Sequence, residues 1–223
     1  MKQTIIDFIS SLISVVLGIV ITFSIQGMID RAADRNNVRS ALELVRSELT
    51  SNKEDIAVMK DYLRDERNAA RYFLDHQKDL ASCPADSVRF HNGIIFADAS
   101  LTTCQDALEL LKMSSLFQKL GNNPLSMKII RAYDACESIT TNLNRHIEVR
   151  NDRFERSVTE QNIRKYASSG WIEIRDYLKT DFGFYTIHSL AHQADPDLFA
   201  DLSDLDEAIE AIGEYLDGGK RRR

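Results

Sequence analysis

Glycine and proline are scarce in this chain of 223 residues, which contains 9 Gly and 3 Pro. Because both residue types interrupt helices, the long intervals without them predict an all-α fold. A basic composition is also lacking, since the formal net charge is −6 at pH 7. General nucleic-acid binding needs a basic surface, so we expect no nucleic-acid partner.

Local catalytic motifs are missing as well. The sequence contains neither a glycine-rich phosphate-binding loop nor a G-x-S-x-G nucleophile elbow. Its many carboxylates are typical of the solvated faces of long helices. We therefore predict a protein that is not an enzyme and binds no cofactor, although a site assembled from distant residues would leave no local motif.

The N-terminal segment is the most apolar part of the chain. No charged residue occurs in the 22 residues from Phe8 to Ile29. As an α-helix this stretch would be about 33 Å long, enough to cross a hydrocarbon core of about 30 Å. A signal peptide has a shorter apolar core followed by a cleavage site, and a buried soluble helix would normally carry a polar face. We predict a transmembrane anchor over residues 1–29, surrounded by the lipid bilayer.

Small residues recur within the predicted anchor at Ser14, Gly18 and Thr22. Small residues four apart allow two membrane helices to approach closely. The same spacing also arises by chance, because small residues are common in membrane helices. These three residues are the candidate contact with a second copy of the chain or with another membrane protein.

A long helix over about 30–80 is predicted to continue the anchor, because residues 28–83 contain neither Gly nor Pro. Its coiled-coil-like seam, with alternating spacings of four and three, is apolar except at Asn52 and Glu66. We favour packing of this seam on another helix of the same chain over self-association. The seam positions are Val38, Leu42, Val45, Leu49, Asn52, Ile56, Met59, Leu63, Glu66, Ala70 and Phe73.

A second long helix is predicted over 124–169, between the start signal Asn123-Pro124 and a stop at Gly170. We expect the two long helices to form an antiparallel stalk or bundle. The seam positions of the second helix are Leu125, Ile129, Ala132, Cys136, Ile139, Leu143, Ile147, Arg150, Phe154 and Val158.

The remaining elements are shorter. Asn92-Gly93 between apolar residues indicates a short β-hairpin near 88–96. The segment from Asp195 to Asp217 contains nine acidic residues and no Lys or Arg. Its apolar residues nevertheless recur with helical spacing and would form a stripe along one face of a helix. Within a helical domain 30–217 we predict short helices at 103–120 and 171–192, an acidic amphipathic helix at 197–217, and a basic flexible tail at 218–223.

Two histidines offer a weak candidate metal site. His188 and His192 are four residues apart, so on a helix they would share a face as paired zinc ligands do. Asp195 would be a third ligand, but Pro196 follows it directly. Because surface or capping histidines are the commoner case, we predict no metal site.

The three cysteines leave the compartment open. In a periplasmic domain, Cys83 and Cys104 would be candidates for a disulfide that stabilises the fold by about 3 kcal/mol, and Cys136 would be a buried free thiol. In a cytoplasmic domain all three would be ordinary small apolar residues.

Residues 14–38 (SVVLGIVITFSIQGMIDRAADRNNV), followed by LELVRSELTSNKEDI, resemble the start of a bacterial family of unknown function. The family consists of small single-pass membrane proteins that are frequent in Bacteroidota, and residues 101–139 resemble its second recurring segment. The resemblance covers roughly residues 5–150. The chain departs from it at Gly27-Met28-Ile29, where a tryptophan is common, and at Ser114-Ser115, where a glycine is common. The family has no established activity, so it implies no catalytic residues.

Membrane orientation has evidence on both sides. Four arginines (Arg31, Arg35, Arg39 and Arg46) follow the predicted anchor, whereas only the α-amine and Lys2 precede it. The positive-inside rule then favours a cytoplasmic domain. The family resemblance implies the opposite orientation, with the N-terminus inside. We expect a single-pass protein of the bacterial inner membrane whose helical domain is periplasmic.

These observations favour a membrane-anchored, non-enzymatic helical scaffold or accessory subunit that acts through protein–protein contacts. The alternative is a membrane-linked sensory or ligand-binding helical domain that signals through a separate partner. A pocket lined by convergent polar groups would favour the alternative, whereas a solid apolar core would oppose it.

Overall fold

The computed structural model describes residues 2–121, 123–157 and 174–218, without the side chains of 2–32, 123 and 157. These residues contain helices and no strand, which confirms the all-α class. The helices are α1 Lys2–Asp75, α2 Ala85–Ile95, α3 Asp106–Met113, α4 Leu116–Lys119, α5 Asn123–Ser157, α6 Ile174–Tyr177, α7 Asp181–Ala191 and α8 Ser203–Gly218, with a 3₁₀ turn at Pro196–Leu198.

The two long helices α1 and α5 run parallel to each other. Glu48 of α1 accepts a hydrogen bond from Tyr133 of α5, and 18 residues later Glu66 accepts one from Arg150. Because the contacts advance in the same direction along both helices, the predicted antiparallel stalk is wrong. The physical reason is that the chain between α1 and α5 does not turn tightly but returns along the whole bundle.

This first returning segment comprises α2, α3 and α4 and runs antiparallel to α1. Its successive residues contact positions ever nearer the start of α1. The contacts join Ala97 to Tyr62, Cys104 to Asn52, Ala107 to Glu48, and Lys119 to Asp34.

The chain from α7 to α8 returns along α1 in the same way. Three α1 cations bind its backbone carbonyls in reverse order: Arg71 binds Ala191, Lys60 binds Ala200, and Arg39 binds Leu216. The fold is therefore an up-down-up-down bundle whose rising segments are the two long helices and whose falling segments are interrupted.

The predicted hairpin near 88–96 is wrong, because these residues belong to α2 apart from Phe96, its C-cap. Asn92 is buried within the bundle, and its Oδ1 accepts a hydrogen bond from the backbone N of Ile174 at 3.2 Å. That long-range contact favours the helix over the local turn preference of Asn-Gly. Gly93 adopts no positive φ there.

The seams of the two long helices form the core. Every predicted position on α1 is at most 6% exposed, including Asn52 and Glu66. The positions on α5 from Leu125 to Phe154 are buried as well, whereas Val158 lies outside the described residues. Packing of the α1 seam within the same chain is thereby confirmed.

The buried apolar residues divide into two clusters. The first, which we call the proximal core, joins α1 from Val38 to Leu63 with α3, α5 and α8. The second, the distal core, joins the end of α1 around Phe73 with α2, α6, α7 and Phe154 of α5. The boundary between the two clusters falls at Glu66 on α1 and at Arg150 on α5.

The acidic C-terminal helix begins at Ser203 rather than at 197, and Leu198 is 79% exposed. Leu205, Ile212 and Leu216 place its apolar face in the proximal core, as predicted. The acidic residues of this segment complement a row of α1 cations. The ion pairs are Lys53–Asp206, Lys60–Asp197, Arg64–Asp197 and Arg67–Asp195.

Other helix boundaries also differ from prediction. The first long helix ends at Asp75 instead of about 80, and the second is described only to Ser157. The two short helices predicted within 103–120 are α3 and α4, and they meet at Ser115, whose φ of 57° is left-handed. The two short helices predicted within 171–192 are α6 and α7, and residues 171–173 lie outside the described residues.

Within the part of the chain that the structure describes, no helix combines the length and the apolar character needed to cross a membrane. The predicted anchor 1–29, with its contact residues Ser14, Gly18 and Thr22, falls on positions whose side chains lie outside the described residues.

Candidate functional site

The best-defined polar site in the described residues is a buried ion pair between the long helices. Glu66 of α1 is 0% exposed and Arg150 of α5 is 3% exposed. Arg150 Nη1 donates to Glu66 Oε1 at 2.5 Å. Both residues occupy seam positions, so the helical repeat that buries their apolar neighbours also brings these two charges together.

The remaining donors of Arg150 are also satisfied. Nη1 donates to the Tyr62 hydroxyl at 2.5 Å, and Nη2 donates to the carbonyl of Ala97 at 3.1 Å. Asn151 Oδ1 accepts from both Nε and Nη2. The planar guanidinium thus binds α1, α5 and the loop after α2 at once, which suits arginine better than lysine.

The other Glu66 oxygen is less completely satisfied. Oε2 lies 3.6 Å from His146 Nε2, and neither atom has a hydrogen-bond partner among the described residues. The His146 side chain is 29% exposed, so this flank of the ion pair reaches the surface.

Electrostatics fixes the protonation states of two groups in this network. Burial lowers the pKa of Arg150, but the charge and hydrogen bond of Glu66 outweigh it and leave that pKa raised. Burial raises the pKa of Tyr62. General acid–base catalysis needs a group that titrates near the working pH. Arg150 and Tyr62 therefore keep their protons at neutral pH.

Two asparagines hold the extended loop between α2 and α3. Asn52 Nδ2 donates to the carbonyl of Cys104 at 2.8 Å, and its Oδ1 accepts from the same residue's N at 2.9 Å. Asn144 of α5 forms the same pair with Leu101, at 2.7 and 3.0 Å. Each side-chain amide thus satisfies one backbone N–H and one backbone carbonyl of the loop, which in a sheet would bond to a neighbouring strand. The seam pattern identified Asn52 as an interruption but gave no indication of Asn144.

Glu48 connects three elements nearby. Its carboxylate accepts from the hydroxyl of Tyr133 at 2.5 Å and from the N of Ala107 near the start of α3. Burial, and then Glu48, raise the pKa of Tyr133. The same two causes raise the pKa of the buried Cys136 thiol to about 11, so it remains protonated at neutral pH.

The candidate Cys83–Cys104 disulfide is wrong, because both residues are free thiols. Cys83 and Tyr72 both pack against the distal core, and a hydrogen bond with Cys83 is the largest cause of the raised pKa of Tyr72. Cys104 lies instead beside Asn52. Twenty residues of α1 separate these two positions, about 30 Å, whereas a disulfide needs Cα atoms within about 7 Å. The returning path of the first falling segment carries the cysteines apart.

His188 and His192 do share an exposed face of α7, with ring centroids 4.2 Å apart. His192 Nδ1 lies 2.9 Å from the backbone oxygen of His188. Asp195 pairs with Arg67, and its pKa is lowered first by the hydrogen bond from the Asp197 backbone and then by Arg67. No group of three or more His, Cys, Asp or Glu residues in the described ranges is arranged to hold a metal ion.

Two open grooves border the exposed face of α1 at Ser47 and Ser51. One, of about 540 Å³, runs between α1 and the end of α8 and is lined by Arg39, Arg46 and Glu54 among others. The other, of about 420 Å³, lies between α1 and α3 and is mainly apolar.

No family model, curated protein or solved structure matches this chain. Function is therefore inferred from the chain's own sequence and geometry.

Proposed function

We propose that this protein is a membrane-anchored, non-enzymatic helical scaffold or accessory subunit that acts through protein–protein contacts. The observation that carries the proposal is the continuity of α1, one helix from Lys2 to Asp75. Among the residues whose side chains are described, which begin at Ala33, the first buried core position of this helix is Val38. The uncharged stretch 8–29 belongs to the same helix and precedes that position, as expected of an anchor joined directly to a bundle.

Direct continuity has a mechanical consequence for a scaffold. An α-helix that passes from a bilayer into a folded domain without a linker fixes the orientation of that domain relative to the membrane. Contacts made by Ser14, Gly18 and Thr22 would then bring two bundles, or a bundle and another membrane protein, into a defined arrangement.

A substitution within the anchor tests these contacts. Gly18→Ile in the full chain should lower the fraction of associated protein detected by crosslinking and native mass spectrometry in mild detergent, because the added side chain separates the helices. Ser24→Ile is the matched control, since it introduces the same side chain about 120° around the helix. Equal association of wild type and Gly18→Ile would count against anchor-mediated contacts.

The alternative, a sensory or ligand-binding domain that signals through a separate partner, has one supporting observation. The groove of about 540 Å³ brings together polar groups that include Arg39, Arg46 and Thr50. This groove is open to solvent, whereas the interior between the long helices is filled by apolar side chains and by the Glu66–Arg150 ion pair. The filled interior favours the scaffold.

For localisation we propose the periplasmic side of a bacterial inner membrane. Cys104 is exposed, so a membrane-impermeant maleimide added to intact cells should label it in a Cys83→Ser background. Cys136 is the internal control, because burial and its raised pKa keep it unreactive until the chain unfolds. Labelling of Cys104 only after the inner membrane is permeabilised would place the bundle in the cytoplasm instead.

A further inference from the structure

Two histidine rings stack on Tyr72 where α1 meets α2. His76 belongs to the turn that follows α1, and its ring centroid lies 4.5 Å from that of Tyr72. His91 belongs to α2, and its ring centroid lies 4.2 Å from that of Tyr72. His76 Nδ1 donates to the backbone carbonyl of Tyr72 at 2.9 Å, which holds the His76 ring in place. We call Tyr72, His76 and His91 the histidine stack.

The surroundings of His91 offer no acceptor to a protonated ring. Its Nδ1 atom is buried and has no hydrogen-bond partner among the described residues. Phe73 and Phe90 contact the ring edge to face, at centroid distances of 6.2 and 5.2 Å. A neutral imidazole can place a lone pair at Nδ1, whereas a protonated one places a charged N–H there. A buried charged donor without an acceptor is the more costly of the two.

His76 adds a like charge beside a protonated His91. Because each imidazole centroid lies within 4.5 Å of the Tyr72 centroid, the two imidazoles are less than about 9 Å apart. This separation is comparable to the Debye length of about 8–10 Å, so salt does not fully screen their repulsion. Burial first, and His76 second, lower the pKa of His91.

The other charged groups near the stack come from three elements. The loop after α1 contributes Cys83 and Asp79, which both raise the pKa of the central tyrosine. Helix α6 contributes Arg175, which donates to a backbone carbonyl of the same loop. Helix α2 itself carries exposed charges of both signs, Asp86 and Arg89. Of the described groups, His76 is the one whose charge acts on the pKa of His91.

A lowered histidine pKa gives the contact between α1 and α2 a definite pH dependence. A released His91 binds its proton near the ordinary value of about 6.5, whereas His91 in the stack binds it only at lower pH. The stabilisation by the neutral stack is therefore present above about pH 6.5 and is lost as the pH falls below that value. Attraction of an imidazolium to the Tyr72 face opposes this loss, but burial is the larger influence on His91.

We propose that the contact between α1 and α2 is an acid-sensitive switch, in which protonation of His91 beside His76 releases α2 from Tyr72. This inference depends neither on the proposed anchoring nor on the scaffold role. Release would expose the apolar residues that α2 contributes to the distal core, Val88 and Ile95. A new apolar contact surface would thus become available in mild acid.

Pulsed labelling of the full chain in detergent micelles with N-ethylmaleimide, followed by mass spectrometry of peptides, tests this proposal. Cys83 packs against the distal core and reports the release. Cys104 is exposed and serves as the reference thiol, which cancels the effect of pH on the thiol reaction itself. We expect the ratio of the Cys83 rate to the Cys104 rate to rise at least about fivefold from pH 7.5 to pH 5.5. Cys136 should stay unlabelled, because labelling in the proximal core would indicate global unfolding and overturn the proposal.

Histidine variants connect the response to the stack. His91→Phe keeps an aromatic ring beside Tyr72 but cannot be protonated, so the ratio should change less than about twofold over the same pH range. His76→Gln removes only the neighbouring charge and should give a smaller rise than wild type. The matched control is H188Q/H192Q, which removes the stacked histidines on the exposed face of α7 and should keep the wild-type rise. A constant ratio in wild type, a full rise in His91→Phe, or loss of the rise in the control would overturn the proposal.

Discussion

Arg150→Ala should destabilise the folded chain by about 3–5 kcal/mol, because it leaves the Glu66 carboxylate buried without its counter-charge. The substitution also removes hydrogen bonds to Tyr62 and to the carbonyl of Ala97. Urea unfolding of the full chain in detergent micelles, followed by circular dichroism, measures the change in the free energy of unfolding.

Two further variants distinguish the effect of an unpaired buried charge on stability from the effect of losing a long side chain. Arg145→Ala removes an exposed arginine from the same helix and should change stability by less than about 0.5 kcal/mol. Glu66→Leu combined with Arg150→Met replaces both charges with apolar groups, and it should cost far less than Arg150→Ala alone. A loss below about 1 kcal/mol in Arg150→Ala would show that the ion pair is not buried as described.

Gly183→Ala should destabilise the chain by about 3 kcal/mol, at the upper end of the range for overpacking substitutions. A Cβ atom at this position would lie 2.1 Å from the carbonyl oxygen of Tyr177 and 2.7 Å from Thr180 Oγ1. The Thr180 side chain caps α7 by accepting from the N of Gly183, and its hydroxyl also donates to the carbonyl of Tyr177. The added methyl group therefore disrupts the junction of α6 and α7, which is measurable as a lowered midpoint in thermal unfolding.

Gly93→Ala is the matched control, because it makes the same chemical change inside a helix with no atom within 4 Å of the added Cβ. Alanine is the better helix former by about 0.5–1 kcal/mol, so this variant should be slightly more stable than wild type. The two substitutions are thus expected to shift the unfolding midpoint in opposite directions. A shift in the same direction would contradict the close approach at Gly183.

Periodicity in the sequence was sufficient to predict the core but not the direction of its helices. A repeat of apolar residues at spacings of three and four defines which face of a helix is buried, and this face is the same whichever way the partner runs. The direction follows instead from the path of the chain between the two helices, and the contact of Glu66 with Arg150 reports it. Pairing Glu66 with Arg150 from the sequence alone would have given the parallel register, because each is the charged interruption of its own seam.

Local turn rules failed where long-range contacts compete with them. Asn92-Gly93 has the composition of a hairpin turn, yet the Asn92 side chain binds the backbone of Ile174, which follows 82 residues later. Nothing near position 92 in the sequence indicates that contact. The candidate disulfide failed for a related reason, since sequence spacing gives no information on how far the chain travels along α1 between Cys83 and Cys104.

The helical spacing of His188 and His192 correctly predicted that their rings lie on one face. Their chemistry depends on neighbours that the spacing does not specify. Asp195 pairs with Arg67, which precedes it by 128 residues. A long-range ion pair of this kind leaves no local signal in the sequence.

The layer of charge at Glu66 and Arg150 also bears on how cooperatively the bundle unfolds. It separates the distal core from the proximal core, so apolar packing does not continue from one to the other. Regions that share no apolar contacts can unfold locally with different free energies. Amide hydrogen exchange then gives a different opening free energy for each region. The distal core, built on the short helices α2, α6 and α7, would be the first to open, while the proximal core stays closed.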